Sequence, residues 1–66
     1  MSMIQIDTDK VYFFMLCYGM KIADLAKAIK VSEMVMNRIL DHKSCSLVTL
    51  CNLARVLGVK PKELVG

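Results

Sequence analysis

Between Ile22 and Leu40 the apolar positions of this chain keep the rhythm of one helix, lose it over three residues, and resume it out of phase. Ile22, Leu25, Ala26 and Ile29 follow the i, i+3, i+4, i+7 spacing of a single helix face. Lys30-Val31-Ser32 interrupt the pattern, and Met36, Ile39 and Leu40 begin a second stripe. A continuous helix carries one stripe, so the break requires the chain to change direction. The segment therefore reads as two short helices, about Lys21–Ile29 and Ser32–Leu40, packed across a three-residue turn. Ala26 falls where the two would cross, and its small side chain lets the backbones approach closely. Ser32 is the expected N-cap of the second of these helices, with Glu33 in its first turn.

The flanking sequence supplies further helices. Thr8 is the expected N-cap of a first helix running from about Asp9 to Cys17 or Tyr18, and Gly19 is its natural stop. Val11, Phe14, Met15 and Tyr18 share one face of it. Tyr12, Phe13, Leu16 and Cys17 make the remaining faces apolar too, and a helix apolar nearly all round is buried on more than one side. In so short a chain the second side calls for a partner subunit or another protein. After Leu40 comes a polar stretch, Asp41-His42-Lys43-Ser44-Cys45. Ser46 then caps a fourth helix over about Leu47–Leu57 with core positions Leu50, Leu53, Ala54 and Leu57, and Gly58 ends it. Pro61 suits the first position of a short final helix whose Leu64 and Val65 fold back onto the core. At the other end Met3–Asp7 alternates apolar and polar residues, as a short strand does. A lone strand cannot satisfy its own hydrogen bonds, which leaves two readings: pairing with its copy across a dimer, or an N-terminal arm that frays. The expected fold is all-α, a compact bundle of five short helices forming a single domain over residues 1–66.

Size and composition exclude several classes of function. A 66-residue domain buries only about 60% of its unfolded surface, which leaves no room for a core and a deep catalytic cleft together. Hydrophobic residues make up 56% of the chain and mean hydropathy is +0.50, high values that a core plus a dimer interface would account for. No apolar run approaches the roughly 18–20 residues of a membrane span, and Asp7 and Asp9 come too early for a signal peptide. The three cysteines, Cys17, Cys45 and Cys51, are an odd number with no CxxC pair, as expected of reduced thiols in a cytoplasmic protein. His42, Cys45 and Cys51 lack the paired spacing of a zinc site, and Cys51 reads as a small core residue. No metal or cofactor is expected. The single histidine has no acid or nucleophile partner at motif spacing, and there is no glycine-rich phosphate loop, so no enzymatic activity is expected.

Charge gives the positive clue. Nine Lys and Arg against six Asp and Glu leave a formal +3. Lys21, Lys27, Lys30, Arg38 and Lys43 fall within or beside the two-helix unit, although Lys27 and Lys30 also read as solvated helix surface. A helix-turn-helix pattern in a small basic chain points to DNA.

Taken in order, Gly19, Leu25-Ala26, Val31-Ser32, Met36, Ile39, Leu53-Ala54, Leu57-Gly58-Val59 and Leu64 resemble the phage repressor/Cro-like helix-turn-helix family, also called XRE, over Lys10–Val65. The resemblance implies a lambda-repressor-like fold whose third helix lies in the major groove of double-stranded DNA, with the helix-turn-helix unit at 21–40. Position by position it implies base contacts from Glu33, Met34, Asn37 and Arg38. Arg38 would reach guanine or a phosphate, Asn37 an adenine, Glu33 a cytosine amine and Met34 a thymine methyl. It implies phosphate contacts from Lys21, Lys43 and Ser44, helped by backbone N–H groups at the starts of the second and fourth helices. The chain departs from the family at five positions. Ile22 stands where relatives often carry Gln. Lys30 and His42 occupy positions where glycine is common, so both are expected to need left-handed backbone. Met15 and Leu40 replace an Arg–Glu pair, exchanging a matched ion pair for an apolar contact, which is often neutral or better. The implied function is that of a bacterial or phage transcriptional regulator, a repressor binding a symmetric operator as a homodimer. The alternative is an antitoxin-like or anti-repressor module that uses the apolar first helix to bind a protein.

Overall fold

The computed structural model describes residues 3–66; Met1 and Ser2, which the single-domain expectation includes, lie outside the described residues. Among the described residues four helices are present: α1 (Thr8–Tyr18), α2 (Ile22–Ala28), α3 (Glu33–His42) and α4 (Leu47–Leu57), followed by a 3-10 turn over Pro61–Leu64 in place of the expected fifth helix. Two short strands, β1 (Ile4–Gln5) and β2 (Ser44–Cys45), complete the fold.

The helix ends follow from local chemistry. The α1 cap is Asp7, whose carboxylate accepts the Lys10 N–H at 3.2 Å. Thr8, the expected cap, is instead the first helical residue and is buried. Ser32 and Ser46 cap α3 and α4 as expected, accepting from the N–H groups of Val35 at 3.1 Å and Thr49 at 3.3 Å. Helices α1, α2 and α4 close in one way: a left-handed residue (Gly19, Lys30, Gly58), then an apolar one (Met20, Val31, Val59) packed against the core. The two N–H groups at each end reach back to the last-turn carbonyls, as in Val31 N–H to Ala26 O at 2.9 Å and Lys30 N–H to Lys27 O at 3.2 Å.

The core forms where all four helices converge. Val11, Met15, Leu25, Ala26, Ile29, Met36, Leu40, Leu50, Leu53, Ala54, Leu57 and Leu64 are buried there, with Ile6 and Cys45 from the strands. Met15 and Leu40 are both in it, so the pair that departs from the family pattern serves as core. Tyr18 is largely exposed, but its hydroxyl donates to the Leu57 carbonyl at 3.1 Å and ties the end of α1 to the end of α4.

Two further expectations are overturned. Cys51 lies on the exposed side of α4, one residue and so about 100° around the helix from buried Leu50. The N-terminal strand neither frays nor waits for a second copy: β1 pairs antiparallel with β2, Ile4 opposite Cys45 and Gln5 opposite Ser44. The stretch after α3 that reads as a polar loop is thus partly a strand, and Cys45 is one of its core residues.

Candidate nucleic-acid interface

Helix α3 is anchored on one side only. Met36 and Leu40 are buried, and α3 packs more extensively on α2 than on any other element. The opposite side carries Glu33, Met34, Asn37, Arg38, Asp41 and His42, which are exposed and line one open groove. Spacing sorts them into two ridges, Glu33–Asn37–Asp41 and Met34–Arg38–His42. Each presents a side chain about every 6 Å along the axis. The first ridge offers hydrogen-bond acceptors, two carboxylates and an amide. The second sets a guanidinium between a thioether and an imidazole. Carboxylates and amides suit the exocyclic amines of cytosine and adenine, a guanidinium suits guanine, and a thioether suits the thymine methyl. Among the described residues neither Asn37 nor Arg38 makes a side-chain hydrogen bond, so both are available to an external partner.

All four expected base-facing residues therefore share one exposed side of α3. Asp41 and His42 belong to that side as well and were missed, because the apolar stripe ends at Leu40 while the helix continues to His42. Their signal was their spacing, four residues beyond Asn37 and Arg38. His42 is accordingly helical, and the left-handed residue that ends α3 is Lys43, with φ 55°. Lys30, at φ 63°, does take the left-handed region as expected.

The candidate phosphate contacts come from three elements, the end of α3, β2 and the start of α2. Lys43 is exposed at the end of α3, and Ser44 is half-buried in β2. Lys21 is exposed at the start of α2, where its own backbone N–H donates to the Asp24 carboxylate at 2.9 Å. That N–H is thus already satisfied, and Asp24 puts a negative charge beside it. Ile22 is half-buried against the core, so the residue in the usual glutamine place packs inward. Among the cysteines, burial pushes the Cys45 thiol up from its ordinary value, which keeps it protonated and unreactive in the core.

The model of the Cro/C1-type HTH DNA-binding domain family matches residues 14–66. This chain belongs to that family. No curated protein and no solved structure matches it. The Cro/C1-type match runs from the middle of α1 through the helix-turn-helix, α4 and the 3-10 turn, and leaves β1 and the first turns of α1 outside. Membership makes this a DNA-binding domain of a typically non-enzymatic family. Among the described residues no helix is long and apolar enough to cross a membrane.

Proposed function

We propose that this Cro/C1-type chain is a transcriptional repressor that binds a two-fold symmetric operator as a homodimer and acts by occluding a promoter. The observation that carries this reading is the exposed side of α3, where Arg38 and Asn37 stand unengaged on a helix whose other side is locked into the core. Glu33, Met34, Asn37 and Arg38 contact base edges, while Lys21, Lys43 and Ser44 hold phosphates. The chain works as one domain, with its helix-turn-helix unit at 21–40, in the cytoplasm of a bacterium or phage-infected cell. Its longest dimension is 31 Å, a scale that lets two copies side by side present their α3 helices about one DNA turn, 34–36 Å, apart.

The test is retention of fragments of the source genome by the purified protein at about 50 and 200 mM salt. Capture of a few symmetric sites, weakening steeply with salt, is the expected result. No retention at either salt from folded protein would refute the repressor reading. One observation favours a protein-binding module instead: Tyr12, Phe13 and Leu16 on α1 are 46%, 60% and 79% exposed. Association through that side would respond little to salt.

A further inference from the structure

The segment that leads into α1 is bonded on both sides. Besides its pairing with β2, the Ile6 N–H donates to the Lys43 carbonyl at 2.9 Å, and the Asp7 N–H donates to the Leu64 carbonyl at 2.7 Å. The Gly66 N–H in turn donates to the Gln5 carbonyl at 3.0 Å, and Ile6 bridges Val65. Ile6 itself is 3% exposed, in the core beside Cys45 at 1%. The N-terminal segment is therefore the middle of a small three-way junction between the end of α3 and the end of the chain.

Its bond to Lys43 falls at a strained point. A non-glycine residue in the left-handed region costs of order 1 kcal/mol, and no glycine relieves that cost here. The other three helices fix their left-handed residue through paired N–H bonds to the last turn, and two of the three place glycine there; Lys43 shows no such bonds among the described residues. What holds its peptide is the carbonyl bond from Ile6 and the β2 pairing that follows at once.

We propose that β1 and the Ile6 N–H are positioning elements for DNA binding: they fix Lys43 in its left-handed turn and so hold its ammonium, and Ser44 after it, against the DNA backbone. This inference rests on the DNA-binding reading of α3. It assigns a role to a segment that the family match does not include.

The test uses the full 66-residue chain, which is short enough for chemical synthesis. Replacing Ile6 by its α-hydroxy acid turns the Gln5–Ile6 amide into an ester and deletes the N–H that reaches Lys43, leaving the side chain in place. The same change at Asp7 deletes the still shorter bond to Leu64, which does not touch α3, and serves as the control. Binding is read on a mixed-sequence duplex of about two helical turns across about 50–200 mM salt, since phosphate contacts are independent of sequence. The Ile6 ester should bind about fivefold to tenfold more weakly, with a log–log salt slope shallower by about one per protomer, the signature of one lost phosphate contact. The Asp7 ester should keep the slope. In a Lys43→Met background the Ile6 ester should cause no further change of slope, an outcome that a merely structural role would not produce. Equal slopes for the Ile6 ester and the unmodified chain, at temperatures where both give full helical CD, would overturn the proposal. Failure of the unmodified chain to bind the duplex would overturn the DNA-binding reading along with it.

Discussion

Helices α1 and α3 are anchored alike and dressed differently. Each buries a pair four residues apart, Val11 and Met15 on α1, Met36 and Leu40 on α3, all of them 4% exposed or less. Beyond its charged first turn (Asp9, Lys10), α1 shows Tyr12, Phe13, Leu16 and Cys17 on its outer side, while α3 shows Glu33, Asn37, Arg38, Asp41 and His42 with only Met34 and Val35 among them. The buried side of a helix reports how it is attached. The exposed side reports what it is for. A polar, hydrogen-bonding surface suits a partner whose edges and backbone are polar, as DNA is. An apolar one has its lowest free energy against protein, which either the second copy of the proposed homodimer or the partner of a protein-binding module would supply.

The shared anchoring can be broken first, and it gives the largest effects. Met15→Ala and Met36→Ala should each cost about 2–5 kcal/mol, because both remove a long buried side chain from a packed core. A domain of this length holds only about 3–10 kcal/mol in all, so either change should take α1 and α3 down together in urea. A cost below about 1 kcal/mol at one site would show that helix to be held elsewhere.

The outer sides should then separate. Phe13→Lys and Leu16→Lys should leave the folding free energy within about 0.5 kcal/mol while weakening self-association by roughly 30-fold or more, as loss of a central interface residue does. Sedimentation at rising concentration reads this directly, and wild-type protein that stays monomeric would remove the dimer interface from α1. On α3, Arg38→Ala and Asn37→Ala should each cost about 1–3 kcal/mol of operator binding with unchanged helical CD. Unaltered affinity would take those two residues out of the reading surface.

Much of this architecture was legible in the sequence because it is local. Ser32, Ser46, Gly19, Gly58 and Pro61 act within a turn of where they stand, and each ends or starts its element as expected. The phase break at Lys30-Val31-Ser32 correctly placed the turn between α2 and α3. What escaped depends on distant partners. The β1–β2 pairing joins two-residue strands about 40 positions apart; the alternation over Met3–Asp7 marks the first, but nothing in the polar stretch after α3 marks the second as its partner. The Asp7 cap was read one residue late, since Asp and Thr are both good caps and only the fold decides between them. Lys43 escaped as a left-handed residue because no glycine marks it. For the candidate site, the sequence brought Glu33, Met34, Asn37 and Arg38 onto one side of α3 and lost Asp41 and His42 only by stopping the helix too soon.

The two left-handed lysines give the smallest effects and the finest comparison. Lys30 closes α2 and Lys43 closes α3, each at a backbone angle that glycine would take without strain. Lys30→Gly should therefore stabilise the protein, but by less than the full strain, since glycine also gives the unfolded chain more freedom. A gain of about 0.5 kcal/mol is expected, or roughly 2–4 °C in Tm for a domain this small. Lys43→Gly relieves the same strain and should raise Tm by a similar amount. The pair should part on DNA, where Lys43→Gly deletes a phosphate contact and flattens the salt slope by about one per protomer, while Lys30→Gly leaves it unchanged. If both variants flatten the slope equally, the basic surface extends from the end of α3 back to the turn before it, and Lys30 joins the interface. If neither does, the lysine at the end of α3 is there for the turn, and the phosphates are held from Lys21.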